Sequence, residues 1–350
     1  MSLQQLTIPL LEWYRSNARD LPWRHTNDPY RIWVSEIMLQ QTRVAAVLGY
    51  YDRFLKEFPT VYDLAEADEQ RLLKVWEGLG YYSRVRNMQK AAKQVVENFD
   101  GVFPQSYAEL LSLCGIGEYT AGAIASAAFG VRVPAIDGNV LRVISRITED
   151  EGDISSSKVK KEYRDRMEEI LPYDSEEMHV FNQAMMELGA TVCMPNGTPK
   201  CDVCPAAAFC KANLHQTWDR LPFKSPKKAR KVEDKTVFVM VRDGKVALRK
   251  RAGQGLLAGL WEFPNVDGVL QESEVYSYLN QNYLRITEWK KQLYAKHIFT
   301  HVEWHMTGYV LSVCGDGPAD FIWADNDLFS ELALPSAFMK YTAEVKEILK

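Results

Sequence analysis

The chain has 350 residues, 47% of them hydrophobic and 25% charged, with a formal net charge of −4. This is globular composition at two-domain length, with no apolar run long enough to cross a bilayer and no excess of positive charge to announce a nucleic-acid partner. The opening MSLQQLTIPLLEWYRSNARD has no basic leader with a cleavage site, so a cytoplasmic protein (nucleoid-associated, if bacterial) with reduced cysteines is expected.

In chain order, the first twenty residues read as an amphipathic helix. Asp28-Pro29 sets an N-cap before a proline at the first helical position and opens a helix through Ile32, Trp33, Ile37 and Leu39. Helical periodicity returns in DEQRLLKVWEGLG, SRVRNMQKAAKQVVENF, SYAELLSL, GNVLRVISRI and SEEMHVFNQAMMELGATV, several bounded by Ser or Asp and by Gly. Residues 1–214 are therefore expected to be all-α. A basic linker follows over 215–234. Between Arg220 and Lys235, just past its end, Arg220, Lys224, Lys227, Lys228, Arg230, Lys231 and Lys235 stand against Glu233 and Asp234, a run that suits a solvated linker or contact with phosphates.

Residues 235–350 change character. KTVFVMVRDGKVALRKR places two β-prone runs around Asp243-Gly244, a hairpin signal. HIFTHVEWHMTGYVLSV reads as one long β segment, and helical pattern returns in ESEVYSYLNQNYL and FMKYTAEVKEILK. The expected class is multi-domain: an all-α region followed by an α+β domain.

Four of the six cysteines, Cys193, Cys201, Cys204 and Cys210, fall in CMPNGTPKCDVCPAAAFC. Such crowding in a reduced compartment calls for a metal or cluster. Structural zinc usually shows two Cys-x-x-Cys knuckles, and only one is present, so an iron–sulfur cluster is the better match. Cys114 and Cys314 read as small core residues.

Two carboxylates stand in contrasting settings. Glu36, in VSEIMLQQT, lies on the apolar stripe of its helix, where burial would keep it protonated as a general acid; pairing with Arg24 or Arg43 is the structural alternative. Asp137, in VPAIDGNVLRV, begins a helix, whose N-terminus keeps a carboxylate ionised; a plain N-cap is the alternative. A protonated acid and a charged carboxylate together can break a glycosidic bond through an oxocarbenium-like state.

The segment SLCGIGEYTAGA joins these pieces. LCGIGEYTAGAIA resembles a helix–hairpin–helix, followed by the acid in its DGNV turn and by the four-cysteine loop. The combination resembles the endonuclease-III-like DNA glycosylases. VSEIMLQQT, GLGYYSR, FNQAMMELGA and HIFTHVEWH are similar to the adenine-specific mismatch glycosylases within that superfamily (the MutY family). The resemblance implies a helix–hairpin–helix glycosylase region with a [4Fe-4S] cluster on Cys193, Cys201, Cys204 and Cys210, followed by a Nudix-like C-terminal domain that reads the lesion. It implies a monomer acting on double-stranded DNA that carries adenine opposite 8-oxoguanine or guanine.

On the same resemblance, Glu36 protonates adenine N7, and Asp137 stabilises the sugar cation or captures it covalently, with Asn139 and Tyr119 nearby. Arg24 and Gln183 are candidates for pocket contacts, while Gly115 and Gly117 admit a DNA phosphate. Gln41, with Thr42 beside it, and Tyr81 enter the duplex. Phe299-Thr300-His301 matches a loop that reads the oxidised guanine, with Thr300 and His301 as its polar contacts. Tyr119 stands where bifunctional members carry a lysine, and a phenol forms no Schiff base. Three departures are visible: one extra residue between Cys193 and Cys201, Cys114 in place of a proline, and Thr300 in place of a serine.

Three other readings compete. An active Nudix pyrophosphohydrolase needs a glutamate-rich helix after GLLAGLWEFP, and VDGVLQESEVYSYLNQNY supplies only scattered glutamates. A glycosylase/lyase on oxidised pyrimidines is opposed by Tyr119. A purely DNA-binding protein makes Glu36 and Asp137 accidents.

Overall fold

The computed structural model describes residues 3–226 and 229–350. Lys227 and Lys228, part of the basic run, lie outside the described residues. Among the described residues no helix is long and apolar enough to cross a membrane. The chain forms two compact units, Met1–Glu66 with Arg86–Pro226 and Ala67–Val85 with Lys227–Lys350.

In chain order the helices are α1 (Thr7–Asn17), α2 (Pro29–Leu39), α3 (Val44–Glu57), α4 (Val61–Glu66), α5 (Glu69–Val75), α6 (Ser83–Phe99), α7 (Tyr107–Ser112), α8 (Glu118–Phe129), α9 (Gly138–Thr148), α10 (Ser157–Glu168), α11 (Ser175–Thr191) and the short α12 (Lys211–Leu214). Starts follow the expected chemistry. The Asp28 carboxylate accepts from the Tyr30 amide at 2.9 Å, Ser106 caps α7, and Asp174 caps α11 through the Glu177 amide.

In the first unit α11 packs against α1, α8 and α9, and α2 packs against α3 and α8. Leu6, Leu10, Ile144, Phe181 and Leu188 meet in its core. The small residues of α8 allow a close approach: a Cβ on Gly122 would come within 2.3 Å of the Pro134 carbonyl oxygen. This seats α8 directly against the irregular segment that delivers Asp137, so Gly122 cannot be enlarged without displacing that segment.

The second unit carries a seven-stranded mixed sheet of β1 (Lys231–Arg242), β2 (Lys245–Lys250), β3 (Trp261–Glu262), β4 (Asn265–Asp267), β5 (Arg285–Ile298), β6 (Val302–Cys314) and β7 (Phe321–Ala324). The order is β3-β2-β1-β6-β5, with β4 paired to β1 and β7 to β2. Only the β1–β6 pairing is parallel among these. Arg242 pairs with Lys245 across Asp243-Gly244, whose positive φ angles of 48° and 71° are those of a tight hairpin turn. Helices α13 (Glu272–Gln281), α14 (Asn326–Glu331) and α15 (Met339–Ile348) complete the α+β unit. Val237 and Val239 face Phe338 and Tyr341 on one side, while Phe238 and Met240 face Val275 and Leu279 on the other. Cover on both faces explains the unbroken apolar run in β1.

Three features differ from expectation. HIFTHVEWHMTGYVLSV is two antiparallel strands, β5 and β6, joined by the turn at Phe299-Thr300-His301, not one segment; this aromatic and β-branched tip reads like the strands it joins. Strand β1 already begins at Lys231, inside the stretch read as linker. Lys235, counted with the basic run, is only 8% exposed; its ammonium pairs with Asp267 and lies 4.8 Å from the Trp304 ring centre.

Candidate active site

Helices α2, α8 and α11 and the start of α9 surround a cleft of about 970 Å³ in the first unit. Glu36, Tyr119, Asp137, Asn139, Arg24, Gln183, Gln41 and Thr42 all line it. The sequence placed these residues on five separate segments, and the fold brings them to one space.

Glu36 is 8% exposed in mid-helix, and the Tyr119 hydroxyl donates to its carboxyl. Burial pushes the Glu36 carboxyl up to about 7, the Asp137 charge adds to the rise, and the Tyr119 hydrogen bond and Arg24 oppose it. A carboxyl group poised there can hold and deliver a proton at neutral pH. Neither suggested arginine pairs with it directly: Arg24 instead donates to Glu187 at 2.6 Å.

Asp137 caps α9. Its Oδ1 accepts from the amides of Asn139 and Val140 at 2.9 and 2.8 Å, and its Oδ2 accepts from the Asn139 side chain at 2.7 Å. The helix N-terminus alone predicts a firmly ionised group. The structure adds burial, which pushes the carboxyl above its ordinary value while those three donors and Arg142 pull it down.

The expectation omitted several residues. Glu187 is fully buried and is gripped by Arg19, through Nε at 2.7 Å and Nη2 at 2.6 Å, as well as by Arg24. Burial would raise its pKa, but the two guanidinium groups outweigh that and hold it down to about 2. Its one sequence signal is position, four residues after Gln183 on the same helical face. Gln183 accepts from the Tyr14 hydroxyl at 3.0 Å and donates to the His179 carbonyl at 3.3 Å. Met186 Sδ lies 3.2 Å from the Tyr119 hydroxyl. Arg142, 6% exposed, donates to Asn139 Oδ1 at 2.8 Å, the Cys193 carbonyl at 2.8 Å and the Gly189 carbonyl at 2.9 Å.

Cys193, Cys201, Cys204 and Cys210 line one small cavity together. The Arg146 guanidinium lies 3.3 Å from Cys193 Sγ. Among the described residues no three His, Cys, Asp or Glu side chains converge closely enough to hold a single metal ion.

In the hairpin between α7 and α8, Gly115 has φ of 75°, and a Cβ there would approach Asn87 Cβ to 2.7 Å, so the turn itself requires glycine. Gly117 caps α8, and a Cβ there would meet nothing within 4 Å. Cys114, where proline was the resemblance's residue, uses the amide proline lacks: it donates to Gln94 Oε1 at 2.7 Å, which ties the turn. Gln41, just past α2, is a non-glycine residue in the left-handed region with φ of 61°.

Tyr81, Thr300 and His301 belong to the second unit. Tyr81 is 51% exposed, takes φ of 47°, and its hydroxyl lies 3.2 Å from Thr300 Oγ1. Thr300 and His301 are exposed at the β5–β6 turn, which Phe299 anchors by meeting Trp304 edge-on at 4.9 Å. On α13, Glu274 closes a capping box with Gln271.

Residues 34–169 match the model for HhH-GPD superfamily base excision DNA repair proteins, and residues 236–344 match the NUDIX domain. The chain is 33% identical to the adenine DNA glycosylase of Homo sapiens, with 95% of this chain and 72% of that one covered. It is 35% identical to the adenine DNA glycosylase of Buchnera aphidicola subsp. Baizongia pistaciae (strain Bp), over 86% of this chain and 83% of that one. For the enzyme of the same name from Buchnera aphidicola subsp. Schizaphis graminum (strain Sg) the identity is 31%, over 97% and 98%. Among solved structures, it resembles a thermostable thymine-DNA glycosylase with a TM-score of 0.53 and 26% identity, over 61% of this chain and 97% of that one. An endonuclease III in a non-covalent DNA complex, at a TM-score of 0.51 and 24% identity over 62% and 99%, shares the fold.

Proposed function

This chain belongs to the adenine DNA glycosylases of base excision repair, and from that premise we propose that it is monofunctional, removing adenine opposite 8-oxoguanine or guanine and leaving an abasic site. The observation that carries this reading is the Glu36–Tyr119 hydrogen bond in a cleft shared with Asp137. None of the described residues lining that cleft is a lysine, so no amine stands ready to attack the sugar as a lyase requires.

The adenine leaves the duplex to reach the cleft. Glu36, poised near neutrality, gives its proton to adenine N7 and makes the base a neutral leaving group. Asp137, fixed by the first turn of α9 and by Asn139, faces the positive charge that develops on the sugar, and Glu36, now ionised, orients water toward it. Arg24 and Gln183 flank the base. The amides at the start of α8, left uncovered by Gly117, suit a backbone phosphate, and the left-handed Gln41 and Tyr81 suit wedges into the duplex, since strain in non-glycine residues gathers at functional sites. Thr300 and His301, exposed at the β5–β6 turn, would read the oxidised guanine.

Four cysteines that line one common cavity, with a single Cys-x-x-Cys pair among them, suit an iron–sulfur cluster better than structural zinc. Cys193, Cys201, Cys204 and Cys210 would hold a [4Fe-4S] cluster. When bound, it crosslinks the 193–210 loop through iron–thiolate bonds.

The test is single-turnover cleavage of a duplex with adenine opposite 8-oxoguanine. The adenine strand is expected to break only after hot alkali, and a guanine partner should also be processed. Breakage without alkali would restore the lyase reading.

A further inference from the structure

The Tyr119 hydroxyl has two neighbours that can accept its single hydrogen: the Glu36 carboxyl on α2 and Met186 Sδ on α11, at 3.2 Å. A phenol has one proton to give, so the two contacts cannot both be hydrogen bonds donated by Tyr119 at one time. Which is made depends on where the Glu36 proton is. When Glu36 is ionised, its carboxylate is the stronger acceptor and takes the hydrogen bond. When Glu36 is protonated, it can donate to the phenol oxygen, and the phenol hydrogen must turn elsewhere. In this cleft the thioether is the acceptor in reach.

We propose that Met186 is a positioning residue for excision, parking the Tyr119 hydrogen on its sulfur while Glu36 carries the proton destined for the base. As Glu36 releases its proton to adenine N7, the Tyr119 O–H rotates from sulfur to the new carboxylate and stabilises that charge as it forms. One proton moves from Glu36 to the base; the phenol proton stays on Tyr119 and only changes acceptor. The resting acid thus keeps a satisfied partner, and the stabilising bond forms only as reaction proceeds, which is the useful kind of binding. The inference rests on Glu36 acting as the acid.

Other charges also face this pair. Asp137 at the start of α9, Arg24 and Arg19 from the segment before α2, Arg43 after it and Glu187 on α11 all line the cleft. Met186→Leu leaves each of them in place and removes only the acceptor at similar volume. Without sulfur, the phenol hydrogen has the Glu36 carboxylate as its remaining partner, which favours the ionised form. The alkaline fall of kcat/KM therefore moves to lower pH.

The experiment measures kcat/KM for excision against pH in wild type, Met186→Leu and Met186→Gln, each also in a Tyr119→Phe background. A thioether is a weak acceptor, so Met186→Leu is expected to move the alkaline limb down by roughly half to one pH unit, making it about three- to tenfold slower at pH 8. Binding of the abasic product duplex should be unchanged. Met186→Gln, which restores an acceptor, should return the limb toward wild type, and in Tyr119→Phe the Leu substitution should move nothing. An unmoved limb in Met186→Leu, or an equal movement without the Tyr119 hydroxyl, overturns the proposal. If wild type has no alkaline limb and Glu36→Gln stays active, it is the acid assignment that fails.

Discussion

Glu36→Gln is expected to slow single-turnover adenine release by about 10²–10⁴-fold, the usual contribution of general acid catalysis, while making the protein more stable at alkaline pH. The two effects have one cause. The carboxyl is 8% exposed, and burial pushes it up to about 7 from an ordinary 4.5. That difference corresponds to about 3 kcal/mol against the ionised form in the folded state. The sign is fixed by the direction. Below the unfolded value Glu36 is protonated in both states and burial carries no ionic penalty. As pH rises toward 7 the unfolded chain ionises first, and above 7 the folded protein bears the full cost. Glutamine keeps the shape without the charge. Its advantage over wild type in urea unfolding should therefore be largest at pH 8 and should fade by pH 5. An equal difference at both pH values would mean that Glu36 is not a buried, proton-holding group.

Arg142→Ala is expected to cost the protein about 3 kcal/mol or more, because a buried charged donor is removed and the carbonyls of Cys193 and Gly189 lose their partner. Activity should fall with it for a separate reason. Arg142 donates to Asn139 Oδ1, which fixes the orientation of that amide and turns its NH₂ toward Asp137 Oδ2. One guanidinium thus holds both the beginning of the cysteine loop and the side chain that orients Asp137. Arg142→Lys keeps the charge but not the forked geometry and should recover only part of the loss. Iron content of the purified variant, its urea midpoint and its excision rate are the three readouts, and all should drop together in Arg142→Ala. Retained iron with an unchanged rate would break the link.

Residues with unusual chemistry for their position were legible in the sequence. Glu36 stood out because it interrupts an apolar stripe, Asp137 because it opens a helix beside Gly-Asn, and the cysteines because of their spacing. Tyr119 was legible only beside a resemblance. Glu187, Met186 and Arg142 were not legible, since each sits in a helix where one more charged or apolar residue is unremarkable. Their roles exist only once α8, α9 and α11 are packed together. The segment 67–85 belongs to the second unit, though its helical period is like that of its neighbours, because periodicity reports local structure and not the unit a helix joins. The β5–β6 turn was hidden for the opposite reason: Phe-Thr-His has the β-branched and aromatic character of the strands around it.

In the proposed mechanism catalysis depends on a single proton held by Glu36, and the first experiment is the pH dependence of kcat/KM for adenine release opposite 8-oxoguanine, since that parameter reports the free enzyme's essential groups. An alkaline fall is expected with a midpoint near 7, where burial places the Glu36 carboxyl, and that limb should be lost along with the activity in Glu36→Gln. A rate that stays level from pH 6 to 9 would contradict the mechanism.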